Sequence, residues 1–111
     1  MIRVIVKKRR WLRGEPEVAA LYSSNEFYNT KMCCIGFLAR RLGATVDDIR
    51  GIGSLGSVST NKRCYTFANK HRAILDQAYT TNDALGLIDS ERMTILGKIG
   101  RKMGVNFVFK P

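Results

Sequence analysis

Two short alternations of apolar and polar residues stand at opposite ends of the chain, with helical and loop-like sequence between them. The first, MIRVIVKK, sets Ile2, Val4 and Val6 against Arg3, Ile5 and Lys7, the two-residue period of a strand with one face on a core. The second, VNFVFK (Val105 to Lys110), alternates again and is bounded by Pro111. Pairing these two puts them in one small sheet with the helices stacked on one face, an α+β fold. A chain of 111 residues with 45% hydrophobic content suits one core, so residues 1–111 are read as a single domain.

Three main helices are expected between the strands. From Lys31 to Leu42, steps of about 100° gather Met32, Cys34, Ile35, Leu38, Ala39 and Leu42 on one arc, and Gly43 ends the run. From Asn61 to Thr80, Cys64, Phe67, Ala68, His71, Ile74, Leu75 and Ala78 share a side. From Ser90 to Met103, Met93, Leu96, Ile99 and Met103 face the core and Lys98, Arg101 and Lys102 face away, with TTND before it read as a turn. Thr45 and Asp48 have the spacing of a capping box for one short helical turn. Residues 9–29 read as a long irregular connection with a short second strand around Val18 to Tyr22.

Several patterns suggest chemistry and yield to plainer readings. Cys33 and Cys34 are adjacent, so on a helix they diverge by about 100° and share neither a metal nor a redox partner; both are expected buried, unbonded and metal-free. His71 lies on an apolar stripe with no nucleophile motif, which favours a hydrogen-bonded core residue over a catalyst. GIGSLG (Gly51 to Gly56) has dinucleotide-fingerprint spacing, but no strand leads into it, so it reads as a flexible loop. GKIGRK (Gly97 to Lys102) resembles a nucleic-acid clamp loop but lacks the second helix such a loop needs. Its glycines, Gly97 and Gly100, are read as points of close helix approach.

Charge carries the functional signal. With 19 Lys and Arg against 9 Asp and Glu, the net charge of +10 favours anionic partners. Residues 1–13 hold six basic groups and no acid. Lys7, Lys8, Arg9, Arg10 and Arg13 are the candidate phosphate contacts, and Trp11 among them is the candidate stacking platform for a base. The plainer reading of the same stretch is a solvated strand end with Trp11 capping the core. No run is apolar enough for a membrane span, and the apolar residues of MIRVIVKKRRW precede its charges, the reverse of a signal peptide, so a cytoplasmic protein without disulfides is expected.

The chain also resembles a group of small, uncharacterised proteins encoded by tailed bacteriophages and prophages. Their pattern is Lys-x-Cys-Cys-Leu-Gly-Phe opening a helix, an Asn-Asp pair before the last helix, an arginine near that helix's start, and a closing Gly-x-x-Phe-Val strand. Here it falls on Lys31, Cys33, Cys34, Gly36 and Phe37, on Asn82 and Asp83, on Arg92, and on Gly104, Phe107 and Val108, with Ile35 where the pattern has Leu. These are packing motifs; the resemblance implies a phage origin, a host-cell cytoplasmic location and binding in preference to catalysis.

The combined expectation is a non-enzymatic, cofactor-free and metal-free accessory protein that binds a polyanion, nucleic acid or a nucleic-acid-handling host complex. The alternative is an inhibitor that covers an acidic surface of a host or defence protein. The oligomeric state stays open at this point.

Overall fold

The computed structural model describes residues 1–25 and 30–111. Strand β1 (Ile2–Lys7) buries Val4 and Val6 and turns Arg3, Ile5 and Lys7 outward, as its alternation requires. Strand β2 (Val105–Lys110) lies beside it in parallel, in a register running from Ile2 with Val105 to Lys7 with Lys110. Parallel neighbours cannot be joined by a hairpin, so the rest of the chain is the crossover between them. The fold is mixed α+β, with the helices packed against a sheet of two terminal strands.

Helix α1 (Cys34–Arg41) starts later than its apolar spacing suggests. Residues 31–33 stay extended because their backbone is engaged elsewhere: Met32 N–H donates to the Arg10 carbonyl and Leu12 N–H to the Met32 carbonyl. Every residue from Met32 to Ala39 is buried, so α1 is covered on more than one side. Gly36 is the reason this is feasible, since a methyl group there would overlap the carbonyl oxygen of Leu21. Both cysteines are buried free thiols, as is Cys64.

Helix α2 (Val46–Ile49) carries the expected capping box: Asp48 N–H donates to Thr45 Oγ1 at 3.2 Å and Thr45 N–H to Asp48 Oδ2 at 2.8 Å. The Gly/Ser loop that follows is anchored rather than loose. Leu55 is fully buried in a 3₁₀ turn, and its N–H donates to the Tyr79 hydroxyl at 2.7 Å. In place of a second strand, residues 16–18 form a 3₁₀ turn, and Tyr22 makes an isolated bridge to Arg50.

The second expected helix is two, α3 (Lys62–Lys70) and α4 (Arg72–Asp83), broken at His71, whose φ of −124° and ψ of 26° leave the helical region. His71 is therefore not a core residue. It sits half-buried at the joint, with its ring 4.5 Å from that of Phe67. The TTND segment is the last turn of α4, not a loop. Helix α5 (Asp89–Lys102) then packs antiparallel to α4 and reverses through Gly104, at φ +73°, into β2. Of its two glycines only Gly100 marks a close approach: a Cβ there would stand 2.7 Å from the Phe107 ring, whereas at Gly97 the nearest atom is 3.5 Å away.

Candidate polyanion-binding surface

The basic segment divides between the interior and the surface. Trp11 is 1% exposed, its ring packs 4.8 Å from that of Phe109, and its indole N–H donates to Asn82 Oδ1 at 2.7 Å. No face of this ring is open to a base, so the stacking role is corrected: Trp11 belongs to the core, because burying its large apolar ring and satisfying its one polar atom are both favourable there.

Asn82 is the polar centre of that region. Its Oδ1 also accepts the Cys34 N–H at 3.1 Å, and its Nδ2 donates to the Leu12 carbonyl and the Asp83 carboxylate, each at 2.9 Å. The amide thus ties the N-terminal segment, the start of α1 and the end of α4 together with its hydrogen-bonding capacity filled. Buried Arg92 completes the joint. Its guanidinium donates to the carbonyls of Thr81, Asn82, Ala84 and Leu87 between 2.8 and 3.0 Å, meeting the partial negative charge at the C-terminus of α4. Its Nε, also buried, has no partner among the described residues. The Cys-Cys, Asn-Asp and Arg motifs are in this way parts of one structural joint.

Arg13 belongs to the same joint. It donates to both carboxylate oxygens of Asp89, at 3.0 and 2.6 Å, and to the carbonyls of Lys8 and Trp11, while its guanidinium lies 4.7 Å from the Trp11 ring centre. The Arg13 hydrogen bonds hold the Asp89 carboxyl below its ordinary range. Arg13 is therefore occupied as a structural clamp and is not free for phosphate.

The other four predicted residues face solvent. Lys7 and Arg9 are exposed, Lys8 and Arg10 are half-exposed, and Arg10 Nε donates to the Thr30 carbonyl at 3.1 Å. Lys7 shares its register position with Lys110, two like charges side by side, an arrangement that costs stability in an isolated sheet. Arg3 and Ile5 continue the outward face of β1, and a hollow of about 500 Å³ beside it is lined by Arg3, Ile5, Phe37, Arg40 and Arg41. No carboxylate lines that hollow among the described residues. Between described residues, the one ion pair is Arg13–Asp89.

Sequence reasoning did not place Arg40, Arg41 and Lys110 on this surface. Arg40 lies opposite the apolar arc of α1, so helical period marks it as exposed, whereas Arg41 falls at the margin of the arc beside Cys34; that both stand beside β1 follows only from packing.

Burial is the main influence on the thiols, His71 and Asp83. Burial pushes the Cys33 thiol up to about 12 and raises Cys34 and Cys64 as well, keeping all three protonated at neutral pH. Burial also lowers the affinity of His71 for a proton and raises that of Asp83. Among the described residues no group of three or more His, Cys, Asp or Glu could hold a metal ion, and no helix is long and apolar enough to cross a membrane. No known protein family, curated protein or solved structure matches this chain.

Proposed function

We propose that the protein is a non-enzymatic accessory protein, of the phage type its sequence resembles, that binds nucleic acid as a polyanion along the outward face of β1. The observation that carries this reading is the row Arg3, Lys7, Lys8 and Arg9, flanked by Arg40, Arg41 and Lys110, none of which forms an ion pair with a carboxylate among the described residues. Arg3 and Lys7 are about 13 Å apart along the strand, so the row follows an extended backbone and does not converge on a single phosphate. Phosphates would relieve the repulsion between Lys7 and Lys110 and release counterions, which makes affinity steeply salt-dependent.

The test is fluorescence anisotropy of labelled mixed-sequence DNA and RNA over a salt series. Binding at low salt should weaken linearly in log–log form, and replacing Lys7 or Arg9 with Ala should lower the slope by about 1 each. Absence of binding at low salt, or binding indifferent to these changes, overturns the reading. A nuclease-resistant protein partner captured from host lysate, lost on the same substitutions, would favour an acidic protein surface instead.

A further inference from the structure

Two apolar surface features stand at opposite ends of the α4–α5 hairpin, and they complement one another. At the turn between the helices, residues 84–88, Leu85 is 75% and Ile88 63% exposed. Leu85 borders a hollow that also contains Glu15 and Glu17, carboxylates without an ion-pair partner among the described residues. Of the cations nearest the turn, Arg13 is bound to Asp89 and Arg92 is buried on backbone carbonyls, while Lys8 acts on Asp89. The turn is thus an apolar projection beside an acidic strip.

At the other end, where α4 begins and α5 finishes, a groove of about 500 Å³ has Ile2, Phe67 and Met103 in its lining and Lys62, Arg63 and Lys70 around it. No carboxylate lines it among the described residues. Helices of 12 and 14 residues place this groove about 20 Å from the turn along the hairpin axis. A chain cannot bring its own turn into its own groove across a rigid hairpin of that length. A second copy has no such restriction.

We propose that the Leu85–Ile88 turn of one molecule docks into the Phe67–Met103 groove of another, with Glu15 and Glu17 facing Lys62, Arg63 and Lys70. The contact is heterologous: each copy in a pair still has one free turn or one free groove, so association continues head to tail unless the geometry closes a ring. The overall charge of +10 opposes close approach of copies, and the patches are small, so the assembly is weak and concentration-dependent. The docking surfaces do not include the basic face of β1, and their failure leaves the polyanion reading intact.

Sedimentation velocity over a concentration series reaching about 1 mM tests this, since contacts this small are expected to bind no more tightly than the weak end of the affinity scale. Wild-type protein should pass beyond dimer as concentration rises. The turn variant L85D/I88D and the groove variant K62E/K70E alter exposed side chains only, and unchanged circular dichroism would show that both fold. Each should remain monomeric, while their equimolar mixture, with one intact turn and one intact groove, should form a dimer and stop there. Wild-type protein that stays monomeric, variants that associate as it does, or a mixture that stays monomeric overturns the proposal.

Discussion

The indole N–H of Trp11 and the side-chain oxygen of Asn82 meet at 2.7 Å inside the core, 71 residues apart in the chain. The bond closes the N-terminal segment over the joint between α1 and α4, and the same oxygen also holds the first turn of α1 through Cys34. What looks in sequence like an aromatic platform among cations is therefore a fastener.

Removing the amide should be costly. Asn82→Ala leaves the Trp11 N–H, the Cys34 N–H and the Leu12 carbonyl buried without their partner, and urea denaturation should show a loss of about 3 kcal/mol. Trp11→Phe removes one donor and keeps most of the ring, so its loss should be smaller, about 1–2 kcal/mol.

The two helical glycines that differ most in surroundings should respond in opposite directions. Gly36→Ala drives a methyl into the Leu21 backbone and is expected to prevent folding or lower stability by more than about 3 kcal/mol. Gly97→Ala meets only the Arg101 side chain at 3.5 Å, gains helix propensity, and should raise stability by about 0.5–1 kcal/mol in thermal melts.

Two carboxylates should bend the pH–stability curve in opposite senses. Asp89 titrates below its ordinary range when folded, so its contribution is present above about pH 4 and is lost as pH falls through the folded value. Because the pair is partly exposed, Asp89→Asn should cost about 1 kcal/mol or less at neutral pH, and the cost should vanish in acid. Asp83 titrates above its ordinary range because of burial, so it favours folding below about pH 4 and this advantage is lost as pH rises through its folded value. Asp83→Asn should therefore be neutral or stabilising at pH 7 relative to its effect in acid.

The thiols should be silent in the native protein. Burial and protonation of Cys33, Cys34 and Cys64 predict that a disulfide reagent labels them only as fast as the fold opens, and that all three react at once in denaturant. Rapid stoichiometric labelling of the folded protein would contradict the buried arrangement.

Much of the fold was legible in the chain because local period reports local burial. The alternation in Ile2–Lys7 and Val105–Lys110, the α1 arc from Cys34 to Leu42 and the Thr45–Asp48 box all appear where their spacing puts them. The errors fall where long-range hydrogen bonds override local preference. TTND reads as a turn because Asn and Asp compete for nearby backbone groups. In the folded chain the Asn82 side chain is instead spent on Trp11, Leu12 and Cys34, and α4 runs on through it. Lys31 to Cys33 fit a helical arc, yet stay extended because Met32 pairs with the segment around Arg10.

The candidate surface divides in the same way. Sequence by itself determined that the protein is strongly cationic, that Arg3 and Lys7 share an outward strand face, and that the two terminal strands bracket a set of amphipathic helices, because these follow from composition and from periods of 2 and 3.6 residues. Only the tertiary structure decided that Lys7 stands beside Lys110, that Arg40 and Arg41 join Arg3 around one hollow, that Trp11 is withdrawn into a buried joint, and that Arg13 is clamped to Asp89 at its partly exposed edge. Those outcomes depend on which residues distant in sequence meet, and the pairing is set by the total burial and hydrogen bonding of the whole chain, which no local window contains.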